Sequence, residues 1–503
     1  MSSKLSNTLD NYKYLFKTDF YITKKQYSIL IILTIFSLLI SFATVFASLP
    51  FLDFVLSKNP GEYQKITNLI FTFFGYFNIK PSFVFCSILL LFTVFIKSLA
   101  DVLYQYYCQK LQYYFMQKEA AELNKKIFNM DQYFYFKFSS SKVFNLFTKE
   151  LERGSEIISK YFASINSILQ LLIYMSIPFY LNLKVTLTFF IFLIILLTPL
   201  IYINYRVLQL GIKTTEITDN HYKVLSNNLN STKFISIHGL VQNVNKYFQK
   251  SFGSYVSNKI NIYVLGSILR NYIQPIGMMA IILSLFYLLG SSELAIIGTI
   301  LWSLSRTLNP INVLLDGVRV VNAEVFALKN LYETKNNFNE FQLKNGTKRI
   351  EKISEINLEG LDFSYGEKKI FDNLNFKIKK GEKIAIIGDT GSGKSTLLDL
   401  LTNVLKTNKG KRSINNINFD EIDFAELRNK ISYVPQSLLI TDSTVGEFFK
   451  FFNEDIDNNK IHAYLESMDG KKIFSKTDDI ENIYLGDKGM RLSGGQKQKI
   501  ILS

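Results

Sequence analysis

Apolar runs about twenty residues long recur along the first two thirds of the chain, and that is the length a helix needs to cross a bilayer. The first, at 28–55, is almost uncharged and carries Asp53 at its far end. Others fall at 83–103, 161–180, 185–205, 268–289 and 294–315. Only Leu181, Asn182, Leu183 and Lys184 separate the third from the fourth, so these two are expected to form a tight helical hairpin. Residues 57–81, with Pro60, Gly61 and scattered polar groups, read as a loop on the far side. Connections of about 55 and about 60 residues follow the second and fourth spans. Both are polar, lysine-rich and helically periodic, and the positive-inside rule places them on the cytoplasmic side. Upstream, residues 8–26 mix aromatics with lysines, as a short helix lying on a membrane surface would.

Past residue 330 the period changes. Residues 331–350 are charged and Asn-rich and read as a linker. Ile356–Tyr365 and Leu374–Ile378 alternate apolar with polar, which marks antiparallel strands, and Ile384–Ile387 reads as a buried strand. Directly after it come Gly388, Asp389, Thr390, Gly391, Ser392, Gly393, Lys394 and Ser395, then Thr396 and an apolar helix start. A strand, a glycine-rich loop and a helix in that order present successive backbone N–H groups to an anion, unobstructed at the glycines. Lys394 adds a point charge for nucleotide phosphates, and the Ser395 hydroxyl suits the Mg²⁺ that bridges them. The expected fold is a multi-domain membrane protein: an all-α, six-helix transmembrane domain over 1–330, then a partial α/β P-loop NTPase domain over 351–503.

Composition agrees with a membrane portion, since 48% of the 503 residues are hydrophobic and 15% aromatic. The 57 Lys and Arg against 42 Asp and Glu give a formal charge of +15. In a chain with apolar spans this reflects basic cytoplasmic segments beside anionic lipid, not a nucleic-acid partner. Cys86 and Cys108 would lie about 33 Å apart on one continuous helix, too far for a disulfide. The polar segment Met1–Tyr27 ahead of a long first span argues against a cleaved secretory signal.

Three further stretches bear on the nucleotide. Tyr365 closes a strand, where its ring could stack on adenine. Ile431–Pro435 reads as a strand ending on Gln436, an amide able to reach Mg²⁺ or the attacking water. Leu492, Ser493, Gly494, Gly495 and Gln496 precede a basic helix and make a second phosphate-binding nest. With two such nests about a hundred residues apart behind six spans, the chain resembles the ATP-binding cassette (ABC) exporters over nearly its whole length. The resemblance implies a half-transporter that pairs as a homodimer or heterodimer in a multi-pass, lipid-embedded state, with its nucleotide domain in the cytoplasm, in the manner of a bacterial inner-membrane protein. It implies ATP and Mg²⁺ on residues Gly388–Thr396, Tyr365 against adenine, Gln436 as the sensor of the γ-phosphate, and Ser493, Gly494, Gly495 and Gln496 serving the opposite subunit. Gly486, Asp487, Lys488 and Gly489 resemble an exporter segment that contacts coupling helices, which Phe136–Arg153 and Leu225–Gly239 would bear.

The sequence reaches Ser503 seven residues after Gln496, ahead of the Walker B aspartate, catalytic glutamate and switch histidine that the resemblance calls for. A fragment of a longer chain is the favoured expectation, and a nucleotide-binding but non-hydrolysing regulatory subunit is the alternative. For cargo, Lys97 and Arg306 are the candidate cavity cations, because charges at membrane depth are costly. They suit an anionic amphiphile, and the stretches Ser48–Val55 and Phe74–Phe77 are similar to exporters that flip lipid-linked oligosaccharides.

Overall fold

The computed structural model describes residues 14–15, 20–56, 65–76, 82–134, 138, 140–285, 294–435, 440–467 and 480–502. The chain divides into two compact units, Met1–Gln342 and Leu343–Ser503.

The first unit is helical. Its long elements are α1 (Lys24–Leu56), α3 (Phe83–Phe128), α5 (Leu151–Leu181), α6 (Leu183–Asn230), α8 (Val241–Leu285) and α9 (Leu294–Glu340), with short helices α2 (Lys65–Gly75), α4 (Ser140–Asn145) and α7 (Thr232–Ile237) between them. Among the described residues, α1, α3, α6 and the stretch Ser141–Leu181 are long and apolar enough to cross a membrane. The fifth and sixth expected spans fall on α8 and α9. Helices of 45 to 48 residues extend about 70 Å at 1.5 Å per residue, more than twice a hydrocarbon core of about 30 Å. The lysine-rich connections are therefore continuations of the spanning helices. Asn182 turns the hairpin by accepting from Val185 N at 3.2 Å, and Ser82 starts α3 by accepting from Phe85 N at 3.2 Å.

Two readings of this unit change. Residues 65–75, expected within a loop, form α2, because Leu69, Ile70, Phe73 and Phe74 recur at helical spacing; the Thr67 hydroxyl donates to Asp53. Residues 331–340, expected as linker, continue α9, since Leu331 and Phe338 sit two turns apart and are both buried.

Packing differs along the helices. Phe189, Leu193, Leu269, Ile273, Ile300 and Leu304 form one core, while Ile32, Leu91, Phe95 and Ile194 stay exposed on the outer faces, where lipid would cover them. A second core, of Leu111, Phe115, Leu151, Ile157, Val321 and Leu328, adjoins buried ion pairs. Arg153 on α5 donates to Glu150 at 3.0 Å and to Glu324 on α9 at 2.6 Å, and also reaches the Thr215 hydroxyl of α6 at 3.3 Å. Lys335 on α9 donates to Glu119 at 2.9 Å and Glu122 at 2.8 Å on α3, and to the Tyr21 hydroxyl at 3.1 Å. At Gly211 of α6 the approach to α9 is so close that a Cβ would lie 2.6 Å from Ala323 O.

The second unit carries a four-stranded antiparallel sheet in the order β2-β1-β3-β4, built from β1 (Glu355–Tyr365), β2 (Lys368–Lys379), β3 (Lys409–Ile414) and β4 (Ile417–Asn418). Helices α10 (Lys394–Leu401), α11 (Phe424–Arg428), α12 (Val445–Phe452), α13 (Asn458–Ser467) and α14 (Gly494–Leu502) complete it. The expected hairpin of Ile356–Tyr365 with Leu374–Ile378 is present as β1 and β2. Ile384–Ile387, expected as a buried strand, takes no strand assignment and joins no ladder among the described residues, and Ile387 is 92% exposed. Ile431–Pro435 likewise pairs with no described strand, because a run of β-formers becomes a strand only beside a neighbour that takes up its N–H and C=O groups.

Replacing Arg153 with Met leaves Glu150 and Glu324 as buried charges without their counter-ion. The variant is expected to lose about 3–5 kcal/mol in thermal unfolding of the detergent-solubilised chain, and a loss below about 1 kcal/mol would contradict this role for the cluster.

Candidate nucleotide-binding site

The phosphate loop owes its shape to its glycines. Gly391 and Gly393 have φ of +90° and +95°, in the left-handed region where a side chain is strained. At Gly393 space is also lacking, since a Cβ would lie 2.6 Å from Ile370 Cγ2 and 3.0 Å from the Phe371 ring of β2. Ser392 N donates to Asp389 O at 3.2 Å, closing the turn, and Leu397 N donates to Gly393 O at 2.8 Å, starting α10. The Lys394 side chain folds back so that Nζ donates to Gly388 O at 2.7 Å and to Asp389 O at 2.8 Å. Its ammonium is thereby fixed against the loop, where a phosphate chain would meet it. Gly388, Asp389, Thr390, Gly391, Ser392 and Ser395 are exposed, whereas Thr396 is buried on the inner side of α10. Further along α10, burial pushes the Asp399 carboxyl up.

Tyr365 is the last residue of β1, opposite Lys368 in the hairpin, with its ring edge-on to Phe363 at 4.9 Å. Gln436 lies outside the described residues. At the second nest, Ser493 N donates to Gln496 Oε1 at 2.7 Å and Gln496 N donates to Ser493 Oγ at 3.3 Å. This is a capping box, which holds the serine hydroxyl at the N-terminus of α14. Gly494 and Gly495 are exposed, and added Cβ atoms there would meet nothing within 4 Å. Just upstream, Gly486, Lys488 and Gly489 all have positive φ, and Lys497 Nζ donates to Lys488 O at 2.8 Å, tying that turn to α14.

One residue bearing on the loop was not foreseen. Arg412 of β3 is buried beneath α10 and bonds to Leu400 O, Leu405 O and Asn403 Oδ1. The available signal was its inward position in an alternating strand, two residues before the buried Ile414.

The expected cargo cations fare differently. Lys97 is buried and paired with Asp101, with Ser37 at 3.4 Å, so it is a neutralised helix-packing group and not a free cavity cation. Arg306 lies over the Trp302 ring at 4.7 Å. Neither lines either of two cavities in this unit. One, of about 350 Å³, lies between α6 and α8 with Arg206, Gln209, Lys213 and Asn261 on its wall. The other, of about 280 Å³, is walled by Gln105, Lys160, Arg270, Asn312 and Asp316 from four helices, with Lys160 bonded to Asp316 at 2.8 Å.

Residues 371–503 match the ABC transporter family. The whole chain superposes on a bacterial Atm1-family ABC exporter with ATP bound at a TM-score of 0.75, over 95% of this chain and 84% of that one, at 15% identity. The family match lies within the second unit, and the chain as a whole has the fold of that exporter. Among its sequence relatives, the mitochondrial iron-sulfur clusters transporter ATM1 of Candida glabrata is 28% identical over 215 residues, 42% of this chain and 29% of the relative. An export ATP-binding/permease protein of Rickettsia typhi is 33% identical over 151 residues, 29% of this chain and 26% of the relative. These alignments therefore take in less than a third of each relative's length. The chain is a multi-pass membrane protein, and its relatives include both mitochondrial and bacterial forms.

Gly393→Ala is expected to weaken nucleotide binding by about fivefold to 150-fold, since strain of about 1–3 kcal/mol falls on the loop that faces the phosphates. Titration of the purified chain with a fluorescent ATP analogue measures it, and an unchanged affinity would contradict the assignment.

Proposed function

We propose that this chain is one half of a dimeric, ATP-driven exporter. The observation that carries the proposal is the folded phosphate loop, with Lys394 fixed against it, in the same chain as apolar helices that run far beyond bilayer thickness. The glycine loop ahead of α10, the Lys394 ammonium and the Ser395 hydroxyl fit a Mg²⁺-nucleotide in donor type, and Tyr365 supplies an aromatic face for a base. Bound ATP brings the hydrolysable phosphoanhydride and a dense negative charge; the chain's part is to hold that charge at one loop and to offer Ser493, Gly494, Gly495 and Gln496 to the loop of a second subunit. Gln436 is proposed as the residue sensing the γ-phosphate and Mg²⁺.

The cargo is read as an anion taken up from the cytoplasmic side. Arg206 and Lys213 on one cavity wall and Arg270 on the other support this. A lipid or lipid-linked glycan remains one form of such an anion, with Arg306, inside the sixth expected span, as a contact; with Lys97 neutralised by Asp101, that form draws less support than it did from sequence. A bacterial inner membrane is the proposed location.

Inside-out vesicles carrying the full-length gene product, given a cytoplasmic metabolite and lipid extract, test the reading by mass spectrometry of their contents. At least one anionic species should accumulate with ATP in the wild type, be lost in Lys394→Ala, and fall severalfold when Arg206 and Lys213 are both changed to Gln. If vesicle contents are the same with wild type and Lys394→Ala, the exporter reading is wrong.

A further inference from the structure

The phosphate loop is only as well aimed as the helix behind it, and α10 has eight residues, too few to hold a direction alone. Its N-terminal end is seated by Gly393 against Ile370 and Phe371. At the other end the free carbonyls are taken up one by one. Leu398 O accepts from Thr402 N at 2.9 Å, and Asp399 O accepts from Val404 N at 3.0 Å and Leu405 N at 3.2 Å. Leu400 O accepts from Arg412 Nη1 at 2.9 Å. The same Nη1 donates to Leu405 O at 2.8 Å, and Nη2 donates to Asn403 Oδ1 at 3.0 Å. Asn403 is itself buried in the left-handed region at φ +56°, so the turn leaving α10 depends on that contact. The guanidinium carbon lies over the Phe419 ring, 5.0 Å from its centroid, and Arg412 is 5% exposed.

A buried cation is costly and persists where its donors are used. Here they tie a strand of the sheet to the C-terminus of the phosphate-loop helix, where the helix dipole is negative. We propose that Arg412 is a positioning residue for nucleotide binding: from β3 it fixes the axis of α10, and so the direction in which the loop's N–H groups point. Arg412 touches no phosphate itself. The inference rests on the nucleotide-site reading above and adds a residue about twenty positions downstream of the loop.

The experiment uses the full chain in detergent, with ATP and ADP affinities from titration of a fluorescent ATP analogue and its displacement, and the melting temperature without nucleotide. Arg412→Met is expected to weaken both nucleotides about threefold to tenfold at temperatures where it is folded. Arg412→Lys keeps a cation at the helix end and should recover most of the affinity, although a single ammonium cannot span all three acceptors. Leu427→Ala, in the apolar cluster with Phe419, lowers the melting temperature without touching α10, and its nucleotide affinity should match the wild type. Wild-type affinity in folded Arg412→Met overturns the proposal, as does an equal loss in Leu427→Ala, which would make the effect one of stability alone. If Arg412→Met does not fold, Arg412→Lys decides, and affinity no better than tenfold below wild type counts against the proposal. Failure of the wild type to bind ATP would instead overturn the nucleotide site itself.

Discussion

The Lys394 ammonium bonded to the carbonyls of Gly388 and Asp389 is the interaction on which the proposed function of this chain depends. Two left-handed glycines let the backbone curl so that those carbonyls converge on one point, and the lysine occupies it. The same curl turns the following N–H groups outward at the start of α10. Anion binding then needs no large side-chain movement: the positive end of a helix, a fixed cation and a free hydroxyl are already on one small exposed surface.

In the helical unit a different constraint dominates. Helices of about 70 Å cannot be held together by lipid-facing packing alone, since apolar side chains gain little from one another when the surroundings are equally apolar. Small-residue contact at Gly211 and hydrogen bonds such as Ser303 Oγ to Tyr174 O supply close approach and direction in the membrane portion and near its edge. Farther along, buried charges take over, with Arg153 linking α5, α6 and α9 and Lys335 linking α3, α9 and Tyr21. Each such cation serves at least two acceptors on different elements, so relative sliding of the helices would strand a charge in a place that water does not reach.

Much of this was legible in the sequence, for identifiable reasons. The spans are long runs of one character, and neither chance nor context mimics them. The phosphate loop and the Ser493 nest depend on backbone geometry that glycine and a capping serine dictate locally. What escaped depended on partners. Ile384–Ile387 has the composition of a buried strand, but composition cannot supply the neighbour that would bury it. Lys97 was ambiguous between a cavity cation and half of a pair with Asp101, four residues on, and only the packing of α1 and α5 around it decides. Arg412 sits in a strand of otherwise unremarkable residues, and its acceptors lie at the far end of a helix, beyond the reach of any local motif.

The central claim is that the loop at Gly388–Ser395 and the nest at Ser493–Gln496 face each other across two copies of the chain when ATP is bound. Cysteines at Ser392 and Ser493 test it directly, because the native Cys86 and Cys108 are both buried. In membranes, mild oxidation should give a covalent dimer with ATP and Mg²⁺ present and little without them, and Lys394→Ala should abolish it. A dimer that forms equally with and without nucleotide, or fails to form at saturating ATP, would contradict the account.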